Sequence, residues 1–231
     1  MDNKQLNEEA ERLSNNNDEE FSPEDFLPSP PRKKGFLQRV PSLVSINPAL
    51  ILFLLFLFLS LASWEGHFPE GLWASYERVY QHKEYWRLIT SLFVHADMKH
   101  LMDNSLLFLI FGSLLYFFYG IIVFPITSLL IGIITSAISV YFHEPQIRML
   151  GASGMIYGMV AMWTVLYIRY EIHYSLPMRI FRVLGFCLII LFPTSFHMEV
   201  DYLAHAVGFF IGIFAGLLSI IMTAKRVENF Y

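Results

Sequence analysis

Polar and apolar positions separate along this chain into one polar stretch followed by a series of long apolar runs. Asn3 to Pro31 includes Asn15-Asn16-Asn17-Asp18-Glu19-Glu20 and Pro28-Ser29-Pro30-Pro31. Such a stretch cannot bury enough apolar surface to offset its ordering entropy, so it is expected to be disordered. Beyond it, apolar runs approach the ~20 residues that cross a bilayer as a helix. The first, about Ala49 to Ala62, is short, but Ile46 and Trp64 can extend it. The run from Leu101 to Phe142 is too long for one span, and Gly120 and Pro125 divide it near 99–119 and 122–142. A fourth runs from about Ser153 to Tyr170, a fifth over 178–193 and a sixth from Tyr202 to Thr223. The pattern predicts an all-α integral membrane protein: a six-helix bundle over 47–223, a polar tail over 1–46 and a short C-terminal tail over 224–231. The loop between spans one and two, about Glu65 to Asp97, is long and carries Phe68, Trp73, Tyr76, Tyr80, Tyr85 and Trp86. Aromatic residues favour the headgroup region, so this loop is expected to lie partly in the interface.

Composition agrees with this plan. Of 231 residues, 55% are hydrophobic and only 16% charged, against roughly 25% charged in soluble domains. The tail over 1–46 holds 9 acidic and 6 basic side chains, leaving 11 and 10 for the other 185 residues. These figures exclude a soluble cytoplasmic enzyme and a secreted disulfide-rich domain. The single cysteine, Cys187, sits in an apolar run and leaves no disulfide framework or Cys-based metal site. A net charge of −4 without a basic patch gives no footprint for nucleic acid. No cleavable signal peptide is visible in the acidic first thirty residues. Arg32-Lys33-Lys34 and Arg39 precede the first span and read as a topology signal with anionic-lipid contact. With the N-terminus inside, the inner segments carry 11 Lys and Arg and the outer ones 5, so both termini are expected on the cytoplasmic side.

Strongly polar residues inside spans are costly and point to function. His100 and Asn104, spaced i, i+4, share a face at the start of the second span, with His95 just before it. Ser153 lies between Gly151 and Gly154 at the start of the fourth span, with Tyr157 one turn on. His205 lies near the start of the sixth, four residues after Asp201. Spans two, four and six run in the same direction, from outside to inside, so the three groups share one depth just below the outer interface. Each residue alone has an ordinary structural reading: a serine as cap or packing residue, a histidine as a satisfied interfacial group, an asparagine as interhelical glue. Together they suit acyl transfer. A serine hydroxyl needs a base to become a nucleophile; Ser153 can supply the hydroxyl and His205 the imidazole. His100, Asn104 and the Ser153 N–H can supply donors for an oxyanion. Gly208, Gly212 and Gly216 form overlapping G-x-x-x-G motifs that let the sixth helix approach a neighbour closely on the face that carries His205.

In their order these motifs resemble the rhomboid family of intramembrane serine proteases over about 47–223. They are Trp86-Arg87, then His95, His100 and Asn104 as H-x4-H-x3-N, then Gly151-Ala152-Ser153-Gly154 with Tyr157, then Ala204-His205-x-x-Gly208-x3-Gly212. The resemblance implies that Ser153 is the nucleophile and His205 the general base of a dyad. It implies that His100 and Asn104 help form the oxyanion hole and that Tyr157 stacks on His205. Trp86 and Arg87 would help hold the first loop in the membrane. Gly208 and Gly212 would seat the sixth helix against the fourth. His95 would support the loop and site from behind, and Gly151 and Gly154 would leave the backbone around the serine unencumbered. Asp201 stays outside the dyad. The implied substrates are single-pass membrane proteins cut in or near their spans, within the lipid bilayer, without cofactor or metal. The six-span form resembles prokaryotic-type members, which implies a bacterial cell membrane with the site open to the outer side.

Three other readings are weighed. A rhomboid-like pseudoprotease that binds membrane clients without cutting them typically lacks the serine or histidine; both are here. A transporter or channel predicts a path through the membrane centre, where no charge pair lies. A metalloprotease needs H-E-x-x-H, and His143-Glu144 ends instead at Ile147.

Overall fold

Two chain breakers and two caps set the helix boundaries. The computed structural model describes Gln5, Glu8, Leu37 and residues 39–68, 70–191 and 201–228. The chain divides into two units, Met1–Lys34 and Gly35–Tyr231. The stretch expected to be disordered and the Arg32-Lys33-Lys34 cluster lie outside the described residues, apart from Gln5 and Glu8.

In the second unit, a 3-10 turn over Leu43–Ile46 leads into α1, Asn47–Trp64. Pro48 lies in its first turn, where the missing N–H would have had no partner. After the long first loop comes α2, Met98–Tyr119, with Asp97 as its cap: the Asp97 carboxylate accepts the His100 N–H at 2.8 Å. Gly120, at φ +83°, stops α2. A wide turn over Ile122–Thr127 passes Pro125 and continues into α3, Ser128–Phe142. α4 spans Ser153–Tyr170, α5 Leu176–Leu191 and α6 Tyr202–Glu228. The only strand-like pairing among the described residues is one bridge, Ala74 with Met149.

Among the described residues, four helical stretches are long and apolar enough to cross a membrane: Leu43–Trp64, Met98–Tyr119, Ile122–Phe142 and Tyr202–Glu228. The protein is thus an all-α integral membrane protein. α4 and α5 occupy the places expected for the fourth and fifth spans. α4 is less apolar because protein surrounds it. It packs against α2, α3, α5 and α6, and its contact with α6 is the most extensive of any helix pair. Met155, Met159, Met162 and Leu166 on α4 are fully buried with Phe56, Leu101, Phe108, Leu115, Phe124 and Ile131 in one core. Outward faces stay apolar instead, as with Phe58, Leu106, Phe181, Phe210 and Ile221, which suits a hydrocarbon surround.

The first loop is built around a cation. Arg87 is 1% exposed. Its guanidinium donates to the carbonyls of Gly71 at 2.6 Å and Trp73 at 3.1 Å and to the Glu84 carboxylate. That hydrogen bond holds the Glu84 carboxyl below the usual carboxylate range. Trp86 is exposed, with the Arg87 guanidinium against its ring. Trp86 faces outward, whereas Arg87 ties the loop from inside. Tyr80 pins the loop to α3 by donating to the Ala137 carbonyl at 2.8 Å.

Candidate functional site

The segment ahead of α4 is fastened to the first loop before the serine appears. Met149 and Ala74 exchange two backbone hydrogen bonds, at 2.8 and 2.9 Å. The Gly151 N–H then donates to the Ser91 carbonyl at 2.9 Å. Gly151 sits at φ +105°, where side chains are strained, and a Cβ there would lie 2.7 Å from His100 Cε1. Glycine is thus required both by the backbone and by the imidazole against it. Ser153, half-buried, opens α4 two residues later.

Backbone contact between α4 and α6 brings the histidine to the serine. A Cβ on Gly208 would lie 2.0 Å from the Gly154 carbonyl oxygen, and one on Gly212 would lie 2.1 Å from that of Gly158. On the other helix, a Cβ on Gly154 would meet the Ala204 carbonyl oxygen at 3.1 Å. Gly154 adjoins Ser153 in sequence and Ala204 adjoins His205, so this contact between the two helices lies next to both residues. One turn into α4, Tyr157 stacks on the His205 ring, with centroids 4.0 Å apart and planes 12° from parallel. Tyr202 meets the same ring edge-on at 6.2 Å. The imidazole is held between two aromatic side chains, which fixes its orientation. The Ser153 hydroxyl makes no hydrogen bond among the described residues; bonds between nucleophile and base commonly tighten only when substrate is bound.

Asp201 has another task. One of its carboxylate oxygens accepts the Ala204 N–H at 2.9 Å, and the other lies 3.4 Å from His143 Nε2. It caps α6 and lies beside His143 at the end of α3.

α2 supplies the third side of the site. His100 meets the His95 ring edge-to-face, with centroids 5.2 Å apart. Asn104, one turn on, has a buried Nδ2 with no hydrogen-bond partner among the described residues. A buried amide donor without an acceptor is costly and suits a group that arrives from outside. His95 lies behind them, 2% exposed. Burial, aided by the nearby His100, pushes its imidazole down to about 3, so it stays neutral.

The structure brings Tyr157 to His205, His100 to Gly151 and His95, and Gly208 and Gly212 to Gly154 and Gly158. Ser153 opens α4 beside the Gly154 contact, Asn104 lies one turn past His100, and Trp86 and Arg87 lie in the first loop. Three residues escaped the sequence reading: His143 beside Asp201, and Ser60 and Trp64 on α1, which both bond to His95. A hydroxyl within an otherwise apolar run is the available signal for Ser60, and a hydrogen-bonding indole at the end of the span for Trp64.

Fold and site together define a membrane-embedded helical protein whose serine, histidines and asparagine converge at the starts of α2, α4 and α6. Comparison with known proteins gives the same class. Residues 82–221 match the Rhomboid domain model, a shorter stretch than the 47–223 over which the motifs resemble the family. The chain belongs to the rhomboid family. It is 30% identical over 158 residues to RHOMBOID-like protein 6, mitochondrial, of Arabidopsis thaliana, covering 67% of this chain and 50% of that protein. It is 29% identical over 150 residues to the putative rhomboid protease YdcA of Bacillus subtilis, covering 64% and 72%. With Rhomboid-like protease 3 of Toxoplasma gondii it shares 31% over 150 residues, covering 62% and 54%. The match thus spans only about half the length of the plant and parasite relatives.

Proposed function

We propose that this protein is an intramembrane serine endopeptidase that hydrolyses peptide bonds in or near the spans of single-pass membrane proteins. The observation that carries the reading is the glycine crossing of α4 and α6. That crossing, with Tyr157 stacked on the His205 imidazole and His100 against Gly151, supports a Ser153–His205 dyad.

In this mechanism His205 takes the Ser153 proton as the hydroxyl oxygen attacks the scissile carbonyl carbon. The carbonyl π pair moves onto oxygen, and the oxyanion is met by donors from Asn104, His100 and the Ser153 N–H. The C–N bond then breaks, and the imidazolium gives its proton to the leaving amine. Water, deprotonated by His205, attacks the acyl-enzyme, and the serine recovers its proton. The base is held by Tyr157 and Tyr202, so little reorganisation accompanies each transfer. Substrate helices must unwind locally to present an extended bond, so helix-weakening residues favour cleavage.

The proposed plan has six spans, with α4 and α5 as the fourth and fifth, both termini cytoplasmic and the site opening to the outer side of a bacterial-type cell membrane. The excess of Lys and Arg on the inner segments supports that orientation.

The test uses purified protein in liposomes with a tagged single-span substrate bearing small, helix-weakening residues. The parent is expected to cleave it, and Ser153→Ala and His205→Ala to lose cleavage while remaining folded. A folded parent that neither cleaves nor is labelled at Ser153 by a fluorophosphonate would replace this reading with a client-binding pseudoprotease.

A further inference from the structure

Behind the oxyanion side of the site lies a buried chain of contacts that begins on α1, outside the residues matched by the family model. Ser60 is 0% exposed. Its Oγ accepts the His95 backbone N–H at 3.1 Å and lies 3.4 Å from His95 Nδ1. One turn further along α1, Trp64 donates its indole N–H to the His95 carbonyl at 2.8 Å. One face of α1 thus grips His95 at its N–H, its C=O and one ring nitrogen.

The proton count at Ser60 selects a form of the ring. A hydroxyl carries one hydrogen and can accept twice. Among the described residues Nδ1 is the one acceptor the Ser60 hydroxyl reaches, so a protonated Nδ1 would leave that hydroxyl hydrogen buried and unpaired, whereas a bare Nδ1 accepts it. Nδ1 is then an acceptor, and the ring proton resides on Nε2. That nitrogen is buried and has no hydrogen-bond partner among the described residues. The same edge of the ring approaches the site: a Cβ on Gly151 would lie 3.7 Å from His95 Cδ2 and 2.7 Å from His100 Cε1. The two imidazoles meet at 77°. In an edge-to-face pair an N–H at the contact is attractive, whereas a lone pair there repels the neighbouring ring.

We infer that Ser60 is a positioning residue: by fixing His95 as its Nε2–H tautomer it sets the ring against which His100 rests beside Gly151. This rests on the proposed role of His100 as an oxyanion donor. Ser60 touches neither substrate nor reacting atoms; it acts through His95.

The experiment pairs kinetics with a tautomer measurement. Protein labelled with 15N-histidine, in bilayers, is compared as parent, Ser60→Ala and Ser60→Thr by solid-state NMR, with His95 assigned from a His95→Gln sample. The parent should show a single Nε2–H tautomer at His95. Ser60→Ala should show a mixture or the other form. Its kcat should fall about tenfold, less than the ~10²-fold typical of a 1 Å misplacement, with KM unchanged. Ser60→Thr, which keeps the hydroxyl, should restore both. An Nδ1–H tautomer in the parent, or a changed tautomer with unchanged kcat, overturns the inference. If no substrate is cleaved, the protease reading fails, but the tautomers are still read without substrate. A His95 tautomer identical in parent and Ser60→Ala then overturns this inference by itself. Should Ser60→Ala fail to fold, Ser60→Cys, a weaker donor of similar size, takes its place under the same criteria.

Discussion

Replacing Gly208 by alanine tests the geometry most directly. The added Cβ would sit 2.0 Å from the Gly154 carbonyl oxygen, and real Cβ contacts below 3.0 Å are essentially never seen. Backbone, not a flexible side chain, is the obstacle, so the helices must part by at least about 1 Å, the difference between those two distances. His205 is one turn from Gly208 on the same face, so it moves away from Ser153 by a similar amount. A 1 Å misplacement costs ~10²-fold in rate, while overpacking costs about 1–3 kcal/mol of stability. Proteoliposome cleavage should show kcat down roughly 10²-fold for Gly208→Ala, with thermal unfolding recorded in parallel. Gly212→Ala, with its clash at 2.1 Å, should also push the helices apart. Gly216→Ala meets Val165 Cβ at 2.8 Å and the Met162 carbonyl oxygen at 3.2 Å, a smaller overlap farther from His205, and should be milder. Gly185→Ala on α5 has nothing within 4 Å and should match the parent. A folded Gly208→Ala protein with parental kcat would refute the reasoning.

Other outcomes follow from the same structure. Gly151→Ala adds a Cβ 2.7 Å from His100 Cε1 at a strained φ, so kcat should fall while a fluorophosphonate still labels Ser153; parental kcat would argue against His100 at the oxyanion. Tyr157→Ala removes a stack worth about 0.5–1.5 kcal/mol and should lower kcat up to about tenfold without raising KM. Arg87→Lys cannot reach two carbonyls and a carboxylate together, so hydrogen exchange over residues 70–90 should rise in that variant, and an unchanged pattern would remove Arg87 as the anchor of the loop. Acid should loosen the same region through two groups. His95 refuses a proton that the unfolded chain accepts below its ordinary value of 6.5, so stability falls from pH 6.5 towards about 3, by on the order of 5 kcal/mol at ~1.4 kcal/mol per pH unit. The bonded Glu84 carboxylate contributes stability that is complete above the ordinary value of 4.5 and lost as pH falls through its depressed folded value. Exchange measured against pH should show both, and His95→Gln should flatten the upper part of the profile.

Sequence made the helices legible wherever breakers or caps punctuate them. α4 runs from Ser153 to Tyr170, as its glycines and apolar pattern indicate, and α2 starts within a residue of the expected position because Asp97 caps it. α6 was expected to stop at Thr223 but continues to Glu228. Lys225 and Arg226 were read as the end of the span, yet cations favour a helix C-terminus and let the helix extend past the lipid. The fifth span was expected over 178–193, and α5 covers Leu176–Leu191, with residues beyond it outside the described set. At the site, the glycine spacing carried the α4–α6 approach because a small-residue stripe encodes a contact directly. The partners of His95 and Asp201 were not legible. Ser60 meets His95 across 35 residues and His143 meets Asp201 across the bundle, and no local period marks such pairs. In the first loop the motif points to Arg87, but the carbonyls of Gly71 and Trp73 that its buried guanidinium joins lie too far along the chain for any local period to mark.

The glycine seam also bears on how the protein is made. Ser153 and His205 are 52 residues apart and sit on different helices, and α6 leaves the ribosome after α4. Chains are synthesised N-terminus first, so α4 emerges before α6. On the proposed mechanism, until Gly208 and Gly212 close on Gly154 and Gly158 the Ser153 hydroxyl lacks its base and is as unreactive as any other in a membrane helix. Docking of α6, rather than formation of α4, is then the step that arms the site.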